Sequence, residues 1–449
     1  MKTFSCILVA NRGEIALRIL RAARELGIRT VAVYSEADRG AAYLQLADST
    51  VCIGPAPSAG SYLDIARIIS AAEISGADAI HPGYGFLAEN AEFAEICERC
   101  HLTLIGPRAD NIRLLGDKAR ARALAAENGI PLLAGTSSVA DEDDALRLAA
   151  EIGFPVMIKA AAGGGGRGMR VVRDPGVFTQ NFQSACVEAE KAFGSPEVYV
   201  ERYLENPRHI EIQILADHYG HVVHLGERDC SLQRRHQKLI EESPSPVMTA
   251  ELRQKVGGYA CRLAEAAGYR NAGTVEFLFD PRTGDVFFME VNTRIQVEHP
   301  VTEEVCGLDL VKEQIRLAAG DLLGFAQHDV VLRGCAIEVR INAEDPFNDF
   351  KPNPGVIQRL ILPGGVGVRV DTHVHGGYAI PSHYDSMIAK LIVHRPTRQE
   401  AIATMRRALA EFTVEGVKTT IPLIREIMAH PNYVKGQVDT GFIQEYFMP

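Results

Sequence analysis

The sequence predicts a mixed α/β and α+β protein with two or three lobes. Its 449 residues, 47% of them apolar, exceed the size that one hydrophobic core usually serves. The opening segment alternates strand and helix patterns, which favours an α/β layer. From about residue 197 to residue 292, most apolar runs have the short length of strands, which favours a second, strand-rich region.

The first predicted lobe, residues 1–115, begins with a strand, a helix and a strand. An apolar run at 6–10 is followed by a helical pattern that ends near Gly27, and a second apolar run lies at 30–34. This βαβ pattern requires parallel strands. Because the first turn carries only Gly13, and not a full glycine fingerprint, a Rossmann-type NAD site is not expected here.

Two further lobes follow along the chain. The second, residues 116–330, contains a helical pattern from 118 to about 128, a strand pattern at 154–159 and a helix at 178–193, before the strand-like runs. The third, residues 331–449, shows strand patterns at 335–342, 355–362 and 367–371 and then a helical tail. We find no repeat of fixed period in either lobe.

Charge and hydropathy disfavour two classes of partner. The formal net charge of -10 opposes a general attraction to nucleic acid or to an anionic membrane. No run approaches the roughly 18 uninterrupted apolar residues that a membrane helix needs. The nine cysteines, an odd number spread from Cys6 to Cys335, do not form a compact disulfide framework. We therefore expect a cytoplasmic protein with reduced cysteines.

A glycine-rich run at 163–168 leads into a strand pattern at 169–172, so it predicts a hairpin loop. Glycines let backbone N–H groups approach phosphate oxygens, and Lys159 on the preceding strand adds a positive charge. The alternative is a flexible surface turn. Because Lys159 emerges from an apolar strand just before the run, we favour a phosphate cover. No GxxxxGK[ST] pattern occurs, which excludes a P-loop NTPase.

The strongest local pattern is a hairpin whose turn lies at 280–285. Closing the hairpin about this turn brings Glu276 to within one residue of a position opposite Glu290, and strand alternation places Glu290 and Asn292 on one face. Two facing carboxylates on otherwise apolar strands repel, and a divalent cation between them removes that cost. These three oxygen ligands suit Mg²⁺. The alternative is that the strands present these groups to water.

Further polar residues continue the same two-residue spacing. Arg294, Gln296 and Glu298 follow Asn292 at every second position. Together with the metal-ligand candidates they form one track, that is, a line of side chains that contains metal ligands, a cation and an acid-base group. The cationic run at 234–238 would on its own indicate a solvated patch. Because Arg294 supplies a second cation, however, a small planar anion such as a carboxylate or bicarbonate fits between its guanidinium and the ammonium of Lys238.

Taken together, the motifs resemble those of biotin carboxylase, a member of the ATP-grasp superfamily. The likeness covers essentially the whole chain, and its most specific parts are the runs that begin at Arg228 and at Glu290. The matching motifs are Gly116-Asp-Lys118, the glycine run with Lys159, Glu201-Arg-Tyr-Leu204, Arg228-Asp-Cys-Ser-Leu-Gln-Arg-Arg-His-Gln-Lys238, Glu290-Val-Asn-Thr-Arg-Ile-Gln-Val-Glu-His-Pro300, Arg340-Ile-Asn-Ala-Glu344, Asn11-Arg-Gly-Glu14 and His81-Pro-Gly-Tyr-Gly-Phe86.

The resemblance implies an ATP-grasp fold. An N-terminal Rossmann-like pre-ATP-grasp domain would occupy residues 1–115, and an ATP-grasp domain with a mobile lid at about 133–203 would occupy residues 116–330. A β-rich C-terminal domain would occupy residues 331–449. Two departures from the family pattern are Ala162, in place of the first glycine of the loop, and Val291, in place of a usual Met.

The resemblance also implies a role for each candidate residue. Phosphates would contact Lys118, Lys159, Gly165 and Gly166, the adenine side would be formed by Glu201, Arg202 and Leu204, and the ribose would face His209, Gln233 and His236. Two Mg²⁺ or Mn²⁺ ions would be bound by Glu276, Glu290 and Asn292. Bicarbonate would be bound by Lys238, Arg294, Gln296 and the Val297 backbone, with Glu298 as general base and Arg340 at the ureido oxygen of biotin.

The implied reaction is the ATP-dependent carboxylation of biotin by bicarbonate through carboxyphosphate. This would be the first half-reaction of acetyl-CoA carboxylase in fatty-acid synthesis, although pyruvate or another acceptor is open. Because the chain contains no Ala-Met-Lys-Met sequence, we expect a separate biotin carrier protein and carboxyltransferase subunits. The family likeness implies a homodimer. The alternatives are another ATP-grasp ligase, which makes carbamoyl phosphate or an amide, and a non-catalytic ATP-binding subunit.

Overall fold

A computed structural model of the protein describes residues 4–136, 139, 141–160 and 169–448. The whole of the predicted glycine loop at 163–168, with Gly165 and Gly166, lies outside the described residues, and so does Ala162.

The N-terminal part is a parallel sheet between two layers of helices. Its strands lie in the order β3-β2-β1-β4-β5, and apolar clusters cover both faces of β1. A strand buried on both faces needs a continuous apolar run, and this explains why Cys6–Val9 shows no alternation. The elements are β1 (Cys6–Val9), α1 (Gly13–Glu25), β2 (Arg29–Tyr34), β3 (Ser49–Cys52), α2 (Ile65–Ser75), β4 (Ala79–His81), α3 (Ala91–Arg99), β5 (Thr103–Leu104) and α4 (Ala109–Gly116). The predicted βαβ unit and open α/β layer are confirmed.

A small unit, residues 141–160 and 169–202, follows α5 (Lys118–Glu127). It consists of α6 (Glu142–Ile152), β6 (Val156–Ala160), β7 (Met169–Val172), α7 (Phe178–Phe193) and β8 (Val198–Arg202). The three strands form a separate antiparallel sheet in the order β7-β6-β8. The unit has its own apolar cluster, in which Phe178 of α7 packs near the strand residues Ile158 and Val200.

The second sheet has eight strands in the order β13-β12-β9-β10-β11-β14-β19-β18. Its neighbouring strands are antiparallel throughout. The elements of this region are β9 (Arg208–Ala216), β10 (Val222–Arg234), β11 (Gln237–Ser243), α8 (Ala250–Ala266), β12 (Asn271–Phe279), β13 (Val286–Asn292), α9 (His299–Cys306), α10 (Leu310–Ala318) and β14 (Cys335–Asn342).

The C-terminal strands extend this same sheet, because β11 pairs with β14 across the predicted boundary at residue 330. The remaining elements are β15 (Glu344–Asp345), β16 (Lys351–Pro352), β17 (Arg359–Ile361), β18 (Val368–Thr372), β19 (Met387–Arg395), α11 (Arg398–Glu411), β20 (Thr413–Glu415), α12 (Ile421–Ala429), α13 (Pro431–Val434) and α14 (Phe442–Phe447). The strand expected at 355–362 is shorter than predicted, and β19, which lies where a helical tail was expected to begin, was missed.

Candidate active site

A cavity of about 1150 Å³ opens between the small unit, the eight-stranded sheet and the N-terminal part. It brings together every candidate residue that the structure describes. These residues are Lys118, Lys159, Glu201, Arg202, Leu204, His209, Gln233, His236, Lys238, Glu276, Glu290, Asn292, Arg294, Gln296, Val297, Glu298 and Arg340. Residues from distant parts of the sequence therefore share one cavity.

The β12–β13 hairpin closes as predicted and pairs Glu276 directly with Glu290. Phe277 then pairs with Phe288, so Met289 is the extra residue of a bulge in β13. Glu276 is buried, whereas the side chain of Glu290 is 33% exposed. The alternative that both carboxylates face water is therefore wrong for Glu276.

The acidic pair and the neighbouring amide offer oxygen ligands. Asn292 Nδ2 donates to Glu276 Oε1 at 2.9 Å. Burial alone would raise the pKa of Glu276, but Lys238 and His209 hold it well below its ordinary value, so the carboxylate is ionised. His209 Nε2 lies 3.0 Å from Glu276 Oε2. Ionised carboxylates and an amide oxygen are the ligand types that Mg²⁺ prefers, so this set fits the ion.

Lys238 lies at the centre of three buried carboxylates. Its Nζ donates to Glu211 Oε2 and Glu298 Oε1 at 2.6 Å each, and to Glu276 Oε1 at 3.1 Å. Burial alone would lower the pKa of Lys238, but the three carboxylates raise it well above its ordinary value. The solvated patch considered for the run 234–238 therefore does not apply to Lys238.

Glu298 directly precedes α9, and its carboxylate accepts hydrogen bonds from two cationic side chains. Besides Lys238, Arg340 Nη2 donates to its Oε2 at 2.9 Å. Burial alone would raise the pKa of Glu298, but Lys238, Arg340 and Arg228 hold it well below its ordinary value. The carboxylate is therefore ionised in the resting site.

The part of the track that follows β13, residues 294–298, is held in place by hydrogen bonds to other residues. Arg294 Nε donates to Glu89 Oε2 at 2.8 Å and its Nη2 donates to Asn292 Oδ1 at 3.1 Å. Gln296 Nε2 donates to Glu276 Oε1 at 2.8 Å. The Val297 carbonyl accepts from the fully buried Lys390 at 3.0 Å. β13 ends at Asn292, so these contacts, rather than a continuing strand, orient the track.

The other end of the cavity is more open. Lys118 Nζ lies 3.3 Å from Glu290 Oε2, and Lys159 contacts the buried Glu201. Arg235 and His236 form the turn between β10 and β11 with φ of 47° and 66°. Such a turn normally requires glycine or asparagine, so strain is stored in residues that line the cavity.

Several charged residues of the site have no role predicted from the sequence. Glu211 is one of them, although the polar residues His209, Glu211 and Gln213 alternate along the otherwise apolar β9 and would have indicated one polar face. Arg228 is fully buried, contacts Glu211 and donates from Nη2 to Gln296 Oε1 at 3.2 Å. Glu89, which is exposed, and Glu241, which is buried, each lie three residues after a matching motif, and no local pattern singles them out.

Cys97 and Cys100 have the CxxC spacing that occurs in metal and redox sites, but among the residues that the structure describes they belong to no cluster of metal-ligating side chains. Cys97 lies on α3 and is buried, and Cys100 follows directly after that helix. Burial raises the pKa of Cys97 to about 12. A thiol with so high a pKa is a poor metal ligand and a poor nucleophile.

The three-stranded sheet, the eight-stranded sheet and the charged cavity that they line are those of an ATP-grasp enzyme. The family described as "Carbamoyl-phosphate synthase L chain, ATP binding domain" matches residues 117–325. The families described as "Biotin carboxylase, N-terminal domain" and "Biotin carboxylase C-terminal domain" match residues 3–112 and 338–445. The flanking matches distinguish this chain from other users of the same ATP-binding domain.

Full-length relatives agree with these matches. Biotin carboxylase 1 of Bacillus subtilis (strain 168) is 54% identical over 441 residues, with 98% of each chain covered. A pyruvate carboxylase subunit of Methanothermobacter thermautotrophicus is 56% identical, with 99% of this chain and 90% of the relative covered. The biotin carboxylase domain dimer of Hydrogenobacter thermophilus 2-oxoglutarate carboxylase, solved with MgADP, ADP and bicarbonate, has a TM-score of 0.95 and 48% identity, with 99% of this chain and 98% of that chain covered.

The chain belongs to the biotin carboxylase family. Its reaction is the ATP-dependent carboxylation of biotin, and it uses ATP, Mg²⁺ and biotin. Among the helices of the described residues, none combines the length and the apolar character that crossing a membrane requires.

Proposed function

We propose that bicarbonate is activated at the buried cluster of Lys238, Glu298 and Arg340. The observation that carries this proposal is the sharing of the Lys238 ammonium by Glu211, Glu276 and Glu298. An ammonium held this way stays charged and fixed in place, and it leaves little reorganisation for the moment of reaction.

In this proposal, Glu298 is the general base. Bicarbonate binds to Lys238, Arg294, Gln296 and the Val297 backbone, and it draws on the cations that stabilise Glu298 in the resting site. Sharing those cations makes Glu298 more basic when the substrate is bound. Glu298 then takes the proton of bicarbonate, and the resulting oxygen attacks the γ-phosphate of ATP to give carboxyphosphate and ADP.

The nucleotide occupies the open end of the cavity. We assign the phosphates to Lys118, Lys159, Gly165 and Gly166, the adenine side to Glu201, Arg202 and Leu204, and the ribose side to His209, Gln233 and His236. Glu276, Glu290 and Asn292 would hold Mg²⁺ or Mn²⁺, two ions in all, whose chemistry would be to neutralise phosphate charge. The proposed domains are 1–115, 116–330 with a lid at about 133–203, and 331–449.

The second step transfers CO₂ to biotin. Carboxyphosphate breaks down to CO₂ and phosphate, and the phosphate takes the ureido proton of biotin. Arg340 stabilises the negative ureido oxygen, and the ureido nitrogen then adds to CO₂. A closed lid excludes water, which would otherwise hydrolyse the intermediate.

Phosphate release from ATP tests this proposal. With Mg²⁺ present, release should require bicarbonate and should increase when free biotin is added. Release that ignores both but responds to an amine would favour an amide-forming or carbamoyl phosphate-forming ligase. ATP binding without bicarbonate-dependent release would favour a non-catalytic subunit.

We also propose the partners. The enzyme would act as a cytoplasmic homodimer on a biotin carboxyl carrier protein, and carboxyltransferase subunits would pass the carboxyl group to acetyl-CoA in fatty-acid synthesis. The Methanothermobacter relative is named as part of a pyruvate carboxylase, so pyruvate is the competing acceptor. Assays of the reconstituted complex with each acceptor would separate the two.

A further inference from the structure

Arg340 is held at two of its three nitrogens. Its Nε donates to Glu241 Oε1 at 2.6 Å, and its Nη2 donates to Glu298 Oε2 at 2.9 Å. Within the described part of the chain, no residue accepts from Nη1. Because Arg340 lines the cavity, Nη1 remains for a substrate oxygen.

Glu241 reaches Arg340 because of an irregularity in β11. Leu232 pairs with Ile240 and Gln233 with Lys238, so Leu239 is an extra residue. Side chains alternate along a strand, and without this bulge Glu241 would lie on the face opposite Lys238. The bulge instead places Glu241 on the same face as Lys238, where it contacts Arg340, while Leu239 and Ile240 enter the same apolar cluster.

The two partners of Arg340 differ in what happens to them during the reaction. Glu298 is the proposed base, so its charge and its contacts change when it takes a proton. Glu241 is fully buried, and nothing among the residues described donates a hydrogen bond to its Oε2. Glu241 is therefore the partner of Arg340 that takes no part in the proposed proton transfer from bicarbonate.

A neighbouring carboxyl provides a contrast. Glu338 pairs with Glu241 across β11 and β14 and is also fully buried, but neither of its oxygens has a hydrogen-bond partner among the described residues. Burial raises the pKa of Glu338 well above its ordinary value. It thus lies in the same surroundings as Glu241 but makes no hydrogen bond to Arg340.

We propose that Glu241 is a positioning residue, which orients the Arg340 guanidinium so that Nη1 faces the ureido oxygen of biotin. This inference rests on the proposed role of Arg340. It predicts that Glu241 acts on the biotin step and only through Arg340.

The test compares Glu241→Leu, Glu241→Gln and the matched control Glu338→Leu. Leucine has a similar size but accepts no hydrogen bond, whereas glutamine keeps one acceptor oxygen. Removing a hydrogen bond to a charged group should lower kcat for free biotin carboxylation by about 10- to 100-fold in Glu241→Leu. Glu241→Gln should retain most of that activity, and Glu338→Leu should stay within about two-fold of wild type. Bicarbonate-dependent phosphate release without biotin should change little in all three.

A double-mutant cycle shows whether Glu241 acts through Arg340. In an Arg340→Ala background, Glu241→Leu should cause no further loss of biotin carboxylation. A further loss of about 10-fold would overturn the inference, as would equal losses in Glu241→Leu and Glu338→Leu. If Arg340→Ala alone keeps wild-type carboxylation, the proposed role of Arg340 is contradicted, and with it the inference about Glu241 that rests on it. If Glu241→Leu does not fold, Glu241→Ala takes its place in the same cycle, because alanine also accepts no hydrogen bond from Arg340.

Discussion

The two ends of the cavity differ in how their charges are held. At the end that we propose for bicarbonate, here called the anion end, Lys238 contacts three carboxylates whose side chains are at most 5% exposed. At the end that we propose for ATP, here called the nucleotide end, Lys118 and Glu290 lie 3.3 Å apart with side chains that are 31% and 33% exposed. The anion end is built on the eight-stranded sheet, whereas Lys159 comes from the small unit.

This difference follows from what each end must do. Bicarbonate is small, so its site must be assembled before it binds, and buried ion pairs with several partners achieve this. ATP is large and brings its own charges and cations, so open and weakly paired residues are sufficient until the nucleotide arrives.

Removing one lysine from each end gives the largest contrast. Lys238→Met leaves buried carboxylates without their cation and should lower the free energy of unfolding by about 3–5 kcal/mol. Lys118→Met breaks a partly exposed pair and should lower it by less than about 1 kcal/mol. Denaturant unfolding of both variants measures this, and equal losses would remove the distinction between the two ends.

The pH dependence of stability should reveal the buried carboxyls of the anion end. Burial raises the pKa of Glu241 from 4.5 to about 7, although Arg340 acts to lower it. The folded protein then binds this proton more tightly than the unfolded chain, so Glu241 reduces stability as the pH rises from about 4.5 to about 7. Relative to Glu241→Gln, the free energy of unfolding of wild type should decrease by on the order of 2 kcal/mol between pH 5 and pH 7.

Urea unfolding at several pH values checks this expectation. As the pH rises, the free energy of unfolding of wild type should fall steadily relative to that of Glu241→Gln, and the difference between the two should level off above about pH 7. A difference that is constant across this range, or that changes in favour of wild type, would contradict the direction of the Glu241 pKa.

A metal titration tests whether Glu290, at the nucleotide end, is an Mg²⁺ ligand. Glu290→Gln removes one charge from an open site, so it should raise the Mg²⁺ concentration needed for half-maximal phosphate release by about 10-fold. The melting temperature without metal should stay close to that of wild type, since Glu290 is not buried. An unchanged Mg²⁺ requirement would exclude Glu290 as a ligand.

The parts of the site that sequence reasoning found are those with a local pattern. Glu276 and Glu290 were paired correctly because a single turn connects their strands. Lys238 was linked to Arg294 through complementary chemistry, and the cavity contains both. The N-terminal βαβ unit likewise depends on neighbouring segments.

The missed parts depend on contacts between distant segments. The strand β19 carries Lys390 at its centre, and a lysine in an apolar run argues against a buried strand until Glu14 is seen 3.2 Å away. Glu241 contacts Arg340 only because Leu239 forms a bulge. The pairing of β11 with β14, which joins two predicted domains in one sheet, leaves no periodic signal in either strand.

The central claim is that Glu298 is the base of a preassembled bicarbonate site, and one variant tests it directly. Bicarbonate-dependent phosphate release from ATP should fall by about 10²- to 10⁴-fold in Glu298→Gln, while nucleotide binding stays intact and the buried control Glu338→Gln retains wild-type release. Equal rates of bicarbonate-dependent release in Glu298→Gln and wild type would contradict the account.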